Sequence, residues 1–117
     1  MEEALVSLET ARLLKEKGFE EDCLYFYNYK EEIEKQNGQT HYYMSKSHDA
    51  PTQSLAQQWI REKGIHIGIY ANASGWGWIL TKYGGNGSCI KEIEDDTFFD
   101  TYEDALEEGL KQALKLI

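Results

Sequence analysis

Ile65-His66-Ile67-Gly68-Ile69-Tyr70-Ala71 alternates without a break. A pleated strand sends successive side chains to opposite faces, so Ile65, Ile67, Ile69 and Ala71 form the face to be buried, and His66, Gly68 and Tyr70 fall on the other. Asn72-Ala73-Ser74-Gly75 turns this strand into Trp76-Gly77-Trp78-Ile79-Leu80-Thr81-Lys82. Gly84-Gly85-Asn86-Gly87 then turns the chain into Ser88-Cys89-Ile90-Lys91-Glu92-Ile93. Three strands joined by short Gly-, Asn- and Ser-containing turns predict an antiparallel meander.

A helix is predicted on each side of this meander. Upstream, Asp49-Ala50-Pro51-Thr52-Gln53 opens one, since proline is tolerated in a first turn where its missing N–H has no partner to lose; Gly64 closes it. Leu55, Ala56, Trp59 and Ile60 make its apolar stripe, leaving Gln57, Gln58, Arg61 and Glu62 to solvent. Downstream, Thr101 caps a helix with Glu103 and Asp104 in its first turn and Lys111 and Lys115 near its end, as the helix dipole favours. Its stripe is Tyr102, Ala105, Leu106, Gly109, Leu110, Ala113, Leu114 and Ile117. Gly109 inside that stripe predicts close approach of a strand or an aromatic ring, because glycine otherwise weakens a helix by about 1 kcal/mol relative to alanine.

The first third reads as helix and hairpin. Ser7 is an N-cap for a helix that runs to Gly18 through Leu8, Ala11 and Leu14. After Glu20-Glu21-Asp22, Cys23-Leu24-Tyr25-Phe26-Tyr27-Asn28-Tyr29 is a strand with two unlike faces, Tyr25, Tyr27 and Tyr29 against Leu24 and Phe26. The turn dipeptide Asn37-Gly38 leads into Thr40-His41-Tyr42-Tyr43-Met44-Ser45 as a returning strand, and Glu31 to Gln36 between them is left unassigned. The predicted class is α+β, one antiparallel sheet of meander plus hairpin with three helices packed on it, in the order α-β-β-α-β-β-β-α. The whole chain, 1–117, is expected to be one domain.

Composition narrows the function. Of 117 residues, 41% are apolar and 13% aromatic, enough for one hydrophobic core. Twenty-one acids against twelve Lys and Arg give a formal charge of −9, which repels a phosphate backbone. Lys15, Lys17, Lys30, Lys46, Arg61, Lys63, Lys82 and Lys91 form no basic stripe along the sequence. No apolar run approaches the ~20 residues of a membrane span, and Met1-Glu2-Glu3-Ala4-Leu5-Val6 has no secretory pattern, so a cytoplasmic location is expected. Cys23 and Cys89 then read as free thiols.

Three stretches carry a resemblance. Ser7-Leu8-Glu9-Thr10-Ala11 with Leu13-Leu14-Lys15-Glu16-Lys17-Gly18-Phe19, Ala50-Pro51-Thr52-Gln53-Ser54-Leu55 with Trp59-Ile60-Arg61-Glu62, and Tyr102-Glu103-Asp104-Ala105-Leu106-Glu107 through Ile117 resemble a family of small uncharacterised proteins of gut anaerobic, Bacteroidetes-type bacteria and their phages. The Asn72-Ala73-Ser74-Gly75-Trp76 turn belongs to the same likeness. It implies a phage or mobile-element setting and no activity.

Chemical motifs read blandly. Gly84-Gly85-Asn86-Gly87 lacks the Lys-Ser or Lys-Thr of a phosphate loop and precedes a strand, so it is a hairpin turn. His41, His48 and His66 have no His or Cys at ligand spacing, hence no metal set. Asp95-Asp96 and Glu103-Asp104 precede a helix and suit capping better than hydrolysis. Ser54, Ser74 and Ser88 sit in no nucleophile elbow. No catalytic residue, cofactor loop or metal set can be named. The aromatics remain: Trp76 and Trp78 on one strand face, with core packing the better reading, and Tyr25, Tyr27 and Tyr29 on another, the better surface candidate. The expectation is a non-enzymatic domain whose partner is another protein. Two alternatives are a nucleic-acid-binding regulator, from the α-β-β-β-α order of residues 52–117, and a small hydrolase needing His66 or His48 beside a carboxylate or Cys89.

Overall fold

The structure, a computed structural model, describes residues 4–21, 23–28, 30–35, 48–82, 89–93 and 97–117. The predicted strand over 40–45, the Asn37-Gly38 and Gly84–Gly87 turns, Asp95-Asp96, His41 and Tyr29 lie outside them. Among the described residues three helices, α1 (Leu8–Glu16), α2 (Gln53–Glu62) and α3 (Tyr102–Leu114), accompany six strands: β1 (Tyr25–Tyr27), β2 (Ile33–Lys35), β3 (His48–Asp49), β4 (Ile65–Asn72), β5 (Gly75–Lys82) and β6 (Cys89–Glu92). Both sheets are antiparallel, ordered β2-β1-β3 and β4-β5-β6. The class is α+β, as expected.

The meander register runs from Ile65↔Lys82 to Asn72↔Gly75, with Ala73-Ser74 as the connecting pair. Ser74 N–H donates to Asn72 Oδ1 at 2.8 Å, which holds that turn. Ile65 and Ile67 are buried and Ile69 partly so, against exposed His66 and Tyr70; Ala71, near the hairpin tip, is exposed rather than buried. Helix α3 crosses β4 and β5 while α2 lies beside it along β4, so both cover the isoleucine face. Leu80, Leu110, Leu114, Ile60 and Leu14 are the large side chains fully enclosed between these layers.

Helix ends follow the local chemistry. Ser7 Oγ accepts from Thr10 N–H, Thr52 Oγ1 from Leu55 N–H at 3.1 Å, and Thr101 Oγ1 from Asp104 N–H at 3.1 Å. The cap of α2 is therefore Thr52, and Pro51 stands outside the helix. Its carbonyl is committed elsewhere, accepting from Val6 N–H at 3.0 Å, where residues 4–6 pair antiparallel with 51–53. Gly18 and Gly64 make left-handed exits at φ 93° and 99°.

Where one continuous sheet was expected, the described strands form two. Strand β1 is only three residues long and both its edges are taken, by β2 through Tyr25↔Lys35 and by β3 through Tyr27↔His48, so it has no edge left for the meander. Helix α1 bridges the two halves, touching β3 on one side and α3 on the other. The unassigned segment Glu31 to Gln36 supplies β2. The β1–β2 hairpin turns at Asn28, whose Oδ1 accepts from Lys30 and Glu32 N–H at 2.8 and 3.0 Å. Charge hid this strand, because all three of its residues are exposed and carry no alternation.

Gly109 is explained by a crossing. A Cβ built there would lie 2.9 Å from Ile67 Cγ2 and 3.4 Å from Trp78 Cβ, so α3 presses directly on β4 and β5. Gly109→Ala is expected to destabilise the protein by about 1–2 kcal/mol, overpacking outweighing the gain of about 1 kcal/mol in helix propensity. Urea unfolding measures the sign; a more stable variant would show that Ile67 yields freely.

Candidate interaction surface

The five aromatic positions singled out by alternation part company in the structure. Tyr27 is 9% exposed and its hydroxyl donates to Val6 O at 2.8 Å, so it is a core residue; this corrects its place on a surface face. The cause is β1's middle position in its sheet beside the 4–6 segment, which takes Tyr27 inward. Its phenol is pushed up in pKa, first by burial and then by Glu107 nearby. Tyr25 is half-buried and packs against the core. Trp78 is 5% exposed beneath α3, whereas Trp76, two residues earlier on the same face, is only half-buried.

Trp76 escapes the core because it lies beyond the start of α3. Its ring meets Tyr102 edge to face, centroids 5.6 Å apart, and Tyr102 is 41% exposed, so the first residue of the α3 stripe is surface and not core. At the far end of the stripe Ile117 is likewise exposed. Beside Trp76 the chain returns at Phe99, with Trp76 N–H donating to Phe99 O at 2.8 Å and Phe99 N–H to Trp76 O at 2.9 Å. Directly opposed residues share a sheet face, so Trp76, Phe99 and Tyr102 gather on the helix side of the meander's tip. Asp100, Glu103 and Asp104, all exposed, border them.

The other face of the tip is aromatic too. Tyr70 stands opposite Gly77, where a Cβ would fall 2.7 Å from Tyr70 Cζ and 3.1 Å from Phe98 Cε1; the glycine lets the tyrosine ring lie flat over the backbone. Phe98 closes on Tyr70 edge to face at 6.4 Å. The Gly-Trp-Gly-Trp sequence thus builds a hairpin end wrapped by five rings, of which only Trp76 was among the expected interaction residues.

One pair that the hydrolase alternative could use, His66 with Cys89, is not brought together. His66, Thr81 and Cys89 are partners in one row across three strands, which separates His66 from Cys89 by two strand spacings, roughly 9–10 Å, too far for a thiol–imidazole pair. Cys23 and Cys89 are thiols and are not joined to each other in a disulfide. Among the described residues no group of three His, Cys, Asp or Glu is placed to hold a metal, and no helix is long and apolar enough to cross a membrane. His48, half-buried on β3, is pushed below its ordinary pKa by burial first, then by Lys15 and Arg12. The folded protein therefore favours neutral His48, and stability is expected to fall as pH drops from about 6.5 through the lowered value. Unfolding midpoints across pH 5–8 for the wild type and His48→Gln test this; an equal slope in both would refute it.

Charge is distributed to match. Lys63 Nζ sits 4.8 Å over the Trp59 ring, and Lys17 Nζ donates to Ile117 O at 2.9 Å. Phe19, just past the end of α1, meets Trp59 edge to face at 5.5 Å. Lys15 acts instead on His48 of β3, and Lys82 stands opposite Ile65 at the end of β5. Compared with known protein families, curated proteins and solved structures, the chain gives no match.

Proposed function

We propose that the protein is a non-enzymatic interaction domain whose aromatic hairpin tip, on the side of Trp76, Phe99 and Tyr102, receives a partner protein. One observation carries the reading: a Trp–Tyr pair left half-open at the end of a sheet whose next tryptophan is fully used in the core. Rigid aromatics offer large contact area at small entropic loss, and such residues dominate binding energy where interfaces have been dissected. The carboxylates of Asp100, Glu103 and Asp104 around the rings favour a partner segment presenting Arg or Lys beside apolar groups, which the overall negative field also attracts. A cytoplasmic accessory role in a phage or mobile element is part of the same proposal.

A nucleic-acid-binding role is the second reading. It is favoured by the placement of α2 and α3 together over one face of the β4-β5-β6 meander. Against it stand the net charge and the engagement of Lys17 and Lys63 with groups of the chain itself.

The test is affinity capture of the tagged protein from host lysate, divided into nuclease-treated and untreated halves. A protein partner retained after nuclease supports the interaction domain. Nucleic acid recovered only from the untreated half, with no retained protein, would replace it with the second reading.

A further inference from the structure

The tip of the hairpin has a property that goes beyond binding a foreign partner. Trp76 turns its backbone N–H and C=O to Phe99, and Trp78 O accepts from Ile93 N–H at 3.0 Å, so both residues point their backbone groups away from β4. Their partners in the register, Ala71 and Ile69, therefore point theirs to the opposite side, out of the sheet's open edge. Ile67 does the same, and its carbonyl is already occupied by Gln57 Nε2 of α2 at 3.0 Å. Among the described residues nothing pairs with the backbone of Ile69 or Ala71 on that edge.

The other edges of the two sheets are charged or, at β3, only two residues long. β2 carries Glu34 and Lys35, and β6 carries Lys91 and Glu92. The open edge of β4 has no charge, proline or bulge; the one irregularity of the meander lies at Leu80/Thr81, on the far side of β5. From Gly64 to Thr81 the sequence contains no Asp, Glu, Lys or Arg. In a chain of formal charge −9 such an edge is where a second, equally negative copy meets the least repulsion.

We propose that two copies of this chain pair antiparallel through β4, joining their meanders into one continuous sheet about a twofold axis at Tyr70. The register follows from the available groups. With Ile67 O taken, an antiparallel self-pairing that uses the open residues sets Ile69 against Ala71 of the second copy and Ala71 against Ile69, each pair exchanging both N–H···O bonds. Tyr70 then faces Tyr70 of the second copy as the non-hydrogen-bonded pair, where side chains come closest, and two tyrosines make a favourable cross-strand contact. Tyr70 is 37% exposed in the single chain. The pairing leaves Trp76 and Tyr102, on the opposite face, free for the partner proposed above, so the two ideas fail separately.

The test is sedimentation velocity of the full chain from about 5 to 200 µM, with Tyr70→Lys, Tyr70→Glu and Ala71→Pro beside the wild type. The wild type is expected to sediment at twice the 13.5 kDa of one chain at the upper concentrations. Each Tyr70 variant alone, with like charges opposed across the axis, should sediment as a monomer, and an equimolar mixture of the two should recover the dimer. Recovery on mixing cannot arise from misfolding. Ala71→Pro, which removes an outward N–H that β5 does not use, should be monomeric with an unchanged circular dichroism spectrum. A wild type that stays monomeric throughout, or a dimer indifferent to all three substitutions, would overturn the proposal. So would a monomer that instead accepts a strand from an unrelated protein at this edge.

Discussion

Trp78→Ala should lower the stability of the protein by about 3–5 kcal/mol, the largest loss expected of any single aromatic in the chain. Trp78 is 5% exposed, and its Cβ lies 3.4 Å from the position a Cβ on Gly109 would take, so the indole fills the space between α3 and β5 at their tightest crossing. Removing it deletes the transfer energy of a large ring. It also leaves a cavity that α3 cannot collapse into, because Leu106 and Leu110 on either side of Gly109 are themselves buried. Tyr102→Ala, by contrast, removes a ring already 41% exposed and should lose no more than about 1 kcal/mol. Guanidinium unfolding of the two variants in parallel measures the difference. Equal losses would mean that Trp76 and Tyr102 belong to the core and are not a surface.

Glu107 is the second site of large effect. Its Oε2 accepts from the backbone N–H of Ser7 at 3.0 Å, from Ser7 Oγ at 2.8 Å and from the buried hydroxyl of Thr10; its Oε1 accepts from Gln53 Nε2 at 3.0 Å. Gln53 Nε2 also donates to Glu103 O at 2.9 Å. One carboxylate of α3 thus holds the N-cap of α1 and the first turn of α2, and its negative charge suits both helix starts. Glu107→Ala strands these donors, Thr10 among them at 0% exposure, and is expected to destabilise by about 2–4 kcal/mol. Glu107→Gln keeps the shape and one good acceptor but must turn its amide N–H toward either Gln53 or the hydroxyls. Its loss should be about half. A thermal or urea titration that placed the glutamine variant level with wild type would show that charge and acceptor count at this position are immaterial.

What the sequence made legible was local. Ser7 and Thr101 as caps and Gly18 and Gly64 as exits need only neighbouring residues to be recognised. The alternation of 65–71 and the Gly109 crossing follow from strand and helix period. Parity put Trp76 and Trp78 on one face correctly, yet it could not say that α3 begins too late to cover Trp76, so one tryptophan is core and the other surface. The same limit misplaced Tyr27: alternation distinguishes two faces of β1 without saying which is inward. Strand β2 was hidden because three exposed residues, Ile33, Glu34 and Lys35, obey no hydrophobic pattern. Glu107 gave no signal at all, since its donors lie about 50 and 100 positions away in the chain. The aromatic tip was half visible, Trp76 by period and Tyr70 by its outward parity. Tyr102 was assigned to the core stripe by a helical period that continues past the edge of the sheet it packs on.

The central claim is that the open rings of Trp76 and Tyr102 form a binding surface. It is tested most directly by capturing the same partner from nuclease-treated lysate with wild type and with Tyr102→Ala, quantified against equal amounts of folded bait. A lost aromatic anchor should reduce the retained partner at least about tenfold, as interface anchors do on truncation to alanine. Equal recovery by the two baits, with the variant fully folded, would contradict the claim and place the partner elsewhere on the molecule.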